Sequence, residues 1–370
     1  MTTQTTTLAA APEASIAASA SAQSEASAPL SCRPFTDTDR EAVLDLFAEP
    51  DFYFRTVRPD ALAQTEILEL VSEDAHVLLA EGRVVGLYAV EPAGAEHGCH
   101  YELHLRLRQD TPDAWWHAAY HAVVEALLWR TEIIRLVVRA GEFDPRWLRI
   151  LHELGLNDEG VLADVVLHRG RRQGYRYMSR LWPPTPPTAA VDAPASRPDA
   201  AHALTVARGD SSARIAGYRD GYARLLRGHW VPGELLGTTI AATDRPALAE
   251  PHTVPAAAAN QELYVVPDAG FVRYAELDWI HRRARLEIGL REGAEGQAAA
   301  VLSAAVDFGF TNLGLHRLYG WATSVPGIGA EAAATLAAAG FGWEASIPEA
   351  VWFAGRPRTR EIWGTVDHDA

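Results

Sequence analysis

RLEIGLREGAEGQAAAVLSAAVDFGFTNLGLHRLYGW (residues 285–321), followed after a short connector by AEAAATLAAAGF (330–341), is the stretch that decides the fold. Residues 285–290 are an apolar run with strand character. Gly293-Ala294-Glu295-Gly296-Gln297-Ala298 is a glycine-spaced turn. Residues 299–310 carry apolar side chains at helical spacing, with small residues on one face. Residues 316–321 read as another strand and 330–339 as an Ala-rich helix stopped by Gly340. The order is strand, glycine turn, helix, strand, helix. Two glycines just before a helix let the backbone approach a ligand closely, with several N–H groups directed outward, which suits a pyrophosphate. The same glycines also suit a plain tight turn, and spacing alone does not separate the two.

Working outward, 262–266 and 271–279 read as strands joined at 267–270. Residues 343–353 and 359–366 close as a hairpin around Gly355-Arg356-Pro357. Residues 228–259 are rich in Pro, Thr and Ala, a long loop of the kind that often serves function. Residues 211–226 have a helical pattern with Tyr218 and Tyr222 one turn apart. Before them, PPTPPTAAVDAPASRP (183–198) reads as an extended, semi-rigid linker.

The first half has the same grammar. Residues 1–29 are Thr, Ala and Ser with few large apolar side chains, and such a segment cannot offset its ordering entropy, so a disordered tail is expected. It lacks the basic start and apolar middle of a signal peptide. Arg33-Pro34-Phe35 is a short strand, and Thr36 caps a helix through Phe47 with acids in its first turn. Residues 59–72 read as a second helix. Residues 76–80 and 84–90 are strands joined by Glu81-Gly82-Arg83. Residues 100–107 alternate, with Glu102 and His104 on the polar face. A helix over 112–129, a strand over 133–138, a helix over 145–154 and strands over 161–168 and 175–181 follow. Tyr101-Glu102-Leu103 parallels Leu286-Glu287-Ile288, Ile134-Arg135-Leu136 parallels His316-Arg317-Leu318, and Leu154-Gly155-Leu156 parallels Ala339-Gly340-Phe341. The pattern implies a duplication: a tail over 1–30, one domain over 31–182, a linker over 183–203 and a second domain over 204–370.

Composition narrows the classes. A chain of 370 residues has two domains as its natural expectation. The net charge of −15 argues against nucleic acid and anionic membrane as partners. All 33 basic residues are arginine, as a GC-rich bacterial gene would give. Cys32 and Cys99 form no disulfide framework and no metal-ligand spacing, so a reduced, cytoplasmic setting and no metal are expected. No apolar run is long enough to cross a bilayer.

The order Glu287-Ile288-Gly289, then Gly293-x-x-Gly296-x-Ala298, a helix, Leu315-His316-Arg317-Leu318 and Ala339-Gly340-Phe341 resembles the GNAT (Gcn-related N-acetyltransferase) superfamily. Within it, the branch that acetylates N-terminal amines of ribosomal proteins is the most similar. The resemblance implies an α/β (α+β) fold of two GNAT-like domains, each a mixed, mostly antiparallel sheet flanked by helices. It also implies that a Gln/Arg-x-x-Gly-x-Gly/Ala turn binds the pyrophosphate of acetyl-CoA. Gly296 and Ala298 match that turn, while Gly293 stands where the family has Gln or Arg. Gly329 replaces an Asn the family often has, and Leu336 replaces a Tyr acid. In the first half the corresponding turn is Arg108-Gln109-Asp110-Thr111-Pro112-Asp113; both small positions are lost, Pro112 removes an N–H, and the aspartates oppose an anion. Donor binding is therefore expected in the second half, at Arg291, Gly293, Gly296, Gln297 and Ala298.

Acyl transfer from a thioester to an amine needs a base, a donor for the developing oxyanion, and alignment of the two reactants. Glu287 is the base the resemblance implies, at the splayed centre of the fold; the alternative is a solvated strand acid. A backbone N–H of the strand over 316–321, or of the one before it, would serve the carbonyl. His281 reads as an exposed turn residue. Trp230, Trp279, Tyr319 and Trp321 fit either a core or an acyl tunnel. The first reading is an N-acyltransferase taking acetyl-CoA or another acyl thioester, with a small-molecule amine or a peptide N-terminus as acceptor. A second keeps the fold and takes an acyl-carrier protein as donor, as in lipopeptide and other natural-product assembly, docking on Arg282, Arg283, Arg285 and Arg291. A third is a catalytically inactive binding protein.

Overall fold

The computed structural model describes residues 30–72, 74–93, 99–182, 213–228, 230, 234–238, 252–254, 260–323, 329–353 and 356–368. The tail before Leu30, the linker over 183–203 and most of the loop over 228–259 lie outside the described residues. The chain forms a mixed α/β structure in two compact units. One holds the described residues through Val90 together with His104–Thr131, and the other holds Glu91–Leu103 and everything from Glu132 on.

In the first unit β1 (Leu30–Pro34) pairs antiparallel with β2 (His76–Ala80), and β2 with β3 (Arg83–Pro92). Glu81 and Gly82 have φ of 52° and 76°, the two successive positive values that a tight hairpin turn needs. Thr36 donates from its N–H (2.9 Å) and its hydroxyl (2.8 Å) to Asp39 Oδ2, which fixes a 3-10 turn running into α1 (Arg40–Phe47). The single helix expected over 59–72 is interrupted. A 3-10 turn at Pro59–Ala61 ends in an extended Leu62, and α2 (Gln64–Ser72) restarts where Glu66 accepts the Ala63 N–H at 2.7 Å. Val43, Leu46 and Phe47 of α1 and Ile67 and Val71 of α2 close on Val77, Leu87, Phe52 and Phe54. Residues 104–107 of β4 (His100–Leu107) and α3 (Asp113–Leu127) complete this unit.

The second unit holds the start of β4, then β5 (Arg135–Gly141), α4 (Pro145–Glu153), β6 (Asn157–His168) and β7 (Arg171–Leu181). Short strands follow: β8 (Ala216–Gly217), β9 (Arg227–Gly228), β10 (Gly237–Thr238) and β11 (His252–Thr253). Then come β12 (Glu262–Val266), β13 (Gly270–Asp278), β14 (Arg283–Leu290), α5 (Ala298–Thr311), β15 (Arg317–Thr323), α6 (Gly329–Ala338), β16 (Gly342–Phe353) and β17 (Arg356–Val366). Its main sheet runs β5-β7-β6-β16-β17-β15-β14-β13-β12-β8. The helix expected over 211–226 is instead β8 and a 3-10 turn at Asp220–Leu226, where Gly217 and Gly221 break helical continuity.

Leu286, Ile288 and Leu290 of β14 and Leu318 of β15 share one face with Val272 and Tyr274 of β13. Against them lie Val301, Leu302 and Ala305 of α5 and Leu336 of α6. Each fully buried Leu or Ile here contributes about 2 kcal/mol. The small face of α5 allows close approach: a Cβ on Gly309 would meet Leu318 and Tyr274 at 3.0 Å. Tyr274 Oη donates to the Ala305 carbonyl at 2.6 Å, satisfying the buried phenol.

Two parts of this unit match closely. β6 and β16 have 12 residues each, β7 and β17 have 11, and both pairs start 185 positions apart (157 to 342, 171 to 356). Register shifts fall at Asp158/Gly160 and Leu162/Val166 in one, and at Trp343/Ala345 and Ile347/Val351 in the other. Positive φ recurs at Asp164 and Glu349, and at Gly155 and Gly340. Arg135 pairs with Glu159 as Arg317 pairs with Glu344; both arginines and Glu344 are buried, and Glu159 is nearly so. β6 meets β16 at Gly160 and Ala345, which are equivalent positions, so the junction has local two-fold character.

β4 pairs parallel with β5 at His100–Arg135, Tyr101–Leu136 and Glu102–Val137. β14 pairs parallel with β15 at Arg283–Arg317, Ala284–Leu318 and Arg285–Tyr319. By these partners the counterpart of Glu102 is Arg285, not Glu287. Strand alternation has a period of two, so a two-residue slip is invisible in sequence.

Candidate functional site

The parallel pairing of β14 with β15 stops after three residue pairs. Beyond that point the strands part, and the chain's own residues 234–238 lie between them. Ile288 N–H donates to the Glu234 carbonyl at 3.1 Å, and Leu235 N–H donates to the Trp321 carbonyl at 2.8 Å. β10 then runs parallel to β14, Gly237 beside Gly289 and Thr238 beside Leu290. Leu235 is fully buried, and a Cβ on Gly320 would meet its Cγ at 2.4 Å. At the end of the paired stretch the Ile288 N–H, in the earlier of the two strands, is taken by the Glu234 carbonyl.

On the sheet face away from α5, charged and aromatic groups interlock. Glu287 is 3% exposed, so it is not a solvated strand acid. Its Oε2 accepts from Arg273 Nε at 2.6 Å and from Arg273 Nη2. Its Oε1 accepts from Arg285 Nε at 3.0 Å and Nη2 at 2.7 Å. A carboxylate holding four guanidinium N–H groups takes a substrate proton only after one of them lets go. Arg285 Nη1 also donates to Glu276 Oε1, and the Tyr319 hydroxyl donates to Glu276 Oε2. Burial and then the Glu276 charge push the Tyr319 phenol well above its ordinary range, so it stays protonated. Glu276 has a φ of 52° at a register shift of β13, a bulge that turns its half-exposed carboxylate toward Tyr319 and Arg285.

Glu234 shares this face. Its Oε2 accepts Thr323 N–H at 2.7 Å, and its Oε1 accepts the Thr323 hydroxyl and Arg360 Nη2, the latter at 3.2 Å. Burial pushes the Glu234 carboxyl up, against the pull of Arg360. The guanidiniums of Arg285 and Arg360 lie 4.2 and 4.4 Å from the centroid of the Trp321 ring.

The glycine turn sits at the far end of β14. Gly293 has a φ of 86° and is exposed, and neither Gly293 nor Gly296 has any atom within 4 Å of a would-be Cβ. These glycines face open space, so packing does not account for Gly296, and the backbone is approachable there. Gln297 is exposed; its N–H closes the 3-10 turn Glu295–Gln297 onto Ala294, and Ala298 opens α5. Arg291 is directed elsewhere: Nη1 donates to the Arg227 carbonyl, and the guanidinium lies 6.0 Å from the Trp230 centroid. The turn is thus open to solvent and approachable at its backbone, whereas the gap behind it is filled by residues 234–238.

His281 lies in a turn as expected but is 2% exposed; its Nδ1 contacts Asp278 Oδ2 at 2.9 Å and its N–H bonds Asp278 Oδ1. Burial raises the Asp278 carboxyl and the hydrogen bonds from His281 outweigh it, holding it well below the usual range. Glu102 is bound by Arg139 at 2.6 and 2.9 Å. The arginines read as a docking patch are each engaged within the chain: Arg282 with the Gly314 carbonyl, Arg283 with Asp278, Arg285 with Glu276 and Glu287, and Arg291 as above. Trp230 is core, whereas Trp279 is 54% exposed. Sequence reading missed Glu234 and Glu276. The first sits in a stretch without periodicity, and the second is re-aimed by a bulge that alternation does not reveal. Among the described residues no group of His, Cys, Asp and Glu could hold a metal ion, and no helix is long and apolar enough to cross a membrane.

No family model matches the sequence, and no curated protein matches it. Solved structures similar to part of the chain include a ribosomal-protein-alanine N-acetyltransferase from Brucella melitensis, at 16% identity over 40% of this chain and 98% of that one, with a TM-score of 0.37. Another is the spermidine N-acetyltransferase from Vibrio cholerae in complex with CoA and spermine, at 15% identity over 41% and 95%, TM-score 0.36. A third is a GNAT-family acetyltransferase from Bacillus anthracis, at 16% identity over 42% and 96%, TM-score 0.35.

Proposed function

We propose that this chain is a duplicated GNAT-type N-acyltransferase that moves an acyl group from acetyl-CoA or a related thioester to an amine. One observation carries the reading: two parallel strands part after three pairs, and an exposed glycine turn leads from the first of them to the N-terminus of α5. With residues 234–238 out of the gap, that arrangement would offer strand N–H groups to a carbonyl, and the exposed turn and helix N-terminus would face phosphates. The duplication rests on the 185-residue repeat of strand lengths, bulges and positive-φ positions. The donor residues are Gly293, Gly296, Gln297 and Ala298. Glu287 serves as base once Arg273 or Arg285 moves. The acceptor is a small-molecule amine or a peptide N-terminus. An acyl-carrier protein is the weaker donor, since Arg282, Arg283, Arg285 and Arg291 are already engaged.

A catalytically silent binding protein is the second reading, favoured by residues 234–238 in the gap and by the saturated Glu287. Calorimetric titration of CoA and acetyl-CoA into the intact protein and into Gly296→Glu separates them. Acyl transfer predicts donor binding that the variant loses, followed by thiol release with a suitable amine. Binding unchanged in the variant moves the donor away from this turn, and no binding in either protein removes the acetyl-CoA reading.

A further inference from the structure

Residues 234–238 stand where the proposed chemistry needs free strand edges. Glu234 offers a carbonyl to Ile288 N–H, Leu235 takes the Trp321 carbonyl, and Gly237 and Thr238 line Gly289 and Leu290. On the acyltransferase reading, the Glu234 carbonyl thereby holds the N–H that would polarise a thioester carbonyl. A donor and this segment cannot hold Ile288 N–H together, because one N–H makes one good hydrogen bond.

We propose that residues 234–238 are an exchangeable strand, which closes the β14–β15 gap in the resting protein and withdraws when an acyl thioester binds, with Glu234 as its latch. The inference rests on the acyltransferase reading. The latch is polar and local. One buried carboxylate joins the segment to Thr323 and Arg360, and Arg360 in turn lies over Trp321. Leu235 and Leu236 add apolar anchorage on the α5 face. A fixed core strand has no need of a buried charge, whereas a buried charge network specifies one of two registers well. Closure lowers apparent donor affinity by the open fraction, so loosening the latch tightens donor binding by the same factor.

The test uses the full chain, CoA as probe, and amide hydrogen exchange read at Leu235 and at 293–298. In the native protein, saturating CoA should speed exchange at Leu235 while slowing it across 293–298. Glu234→Gln and Thr323→Val should each raise Leu235 exchange without ligand and tighten CoA binding roughly tenfold. If CoA binds and Leu235 stays as protected as before, the strand is fixed: the exchange idea fails and the acyltransferase reading survives with its donor elsewhere. If the variants exchange faster but bind CoA no better than the native protein, the segment does not compete with the donor and the proposal fails. If neither variant exchanges faster, Glu234 is not the latch. If CoA binds neither the native protein nor a variant whose Leu235 exchange has risen, the acyl-CoA reading itself falls. The native measurement decides the central point even if a variant does not fold.

Discussion

Gly160→Ala should strike the junction between β6 and β16. Gly160 has a φ of 151°, in a region that side chains rarely adopt, and a Cβ there would lie 1.9 Å from the Glu344 carbonyl oxygen and 2.6 Å from Ala345 Cα. Ordinary contact starts near 3.4 Å, so the strands must part by about 1.5 Å at the point where they meet. Backbone strain costs about 1–3 kcal/mol and overpacking against main chain a similar amount. Together that is about 2–6 kcal/mol, a large part of an ordinary domain's stability. In a unit of this size it lowers the melting midpoint by roughly 5–20 °C. Circular dichroism melts of the native chain, Gly160→Ala and the control Gly217→Ala measure it; Gly217 has nothing within 4 Å of a would-be Cβ. A Gly160→Ala midpoint within about 1 °C of native would refute the close approach at this junction.

Glu344→Gln should cost about 3–5 kcal/mol in urea unfolding, since Arg317 is 1% exposed and loses its bidentate partner (2.7 and 2.5 Å); replacing both residues by apolar ones should cost less than that single change. Asp39 is held down to about 2, chiefly by its hydrogen bonds from Arg33, so its stabilisation is fully present above the ordinary carboxylate range and is lost as pH falls through about 2. Native protein should therefore exceed Asp39→Asn by about 1 kcal/mol at pH 6, since solvent screens the half-exposed Arg33, and by little at pH 2, and an equal gap at both pH values would show that the ion pair is not the cause.

The elements that follow from local rules were legible in the sequence. The Thr36 cap, the Glu81-Gly82-Arg83 hairpin, the strand, glycine turn and helix of 285–310 and the stop at Gly340 all depend on residues within a few positions of one another. What was hidden depends on register and long range. The helical pattern over 211–226 yielded to two glycines. The pairing of Glu102 with Glu287 slipped by two residues, which strand alternation cannot detect. His281 looked exposed because a turn usually is, yet it is buried, bonded to Asp278 and, through its carbonyl, to the distant Arg172. Glu234 lies 53 positions from Glu287, in a stretch without periodicity, yet its carbonyl reaches the residue after it.

The shared and unshared features of the two repeated parts divide in a way that bears on function. What repeats is β5 to β7 against β15 to β17: strand lengths, bulges, the buried arginine–glutamate pair and the glycine before the last hairpin. Those features build the sheet and its β6–β16 meeting point. What differs is the chemistry. The turn after β4 carries Asp110, Pro112 and Asp113, where the turn after β14 carries Gly293 and Gly296 with open space around them. Gly293 has a φ of 86° that favours glycine by itself, but no packing requires Gly296, and such a glycine pair stands only on the side where a phosphate-bearing donor is proposed. If the second half were merely structural, filling Gly296 with an alanine side chain would be free or favourable. If it holds a donor, the same methyl group stands between the backbone and the phosphates. Gly296→Ala therefore separates a turn kept for folding from one kept for binding: unchanged or higher stability with weaker CoA binding is the outcome the acyltransferase reading requires, and higher stability with CoA binding unchanged is the outcome it does not survive at this turn.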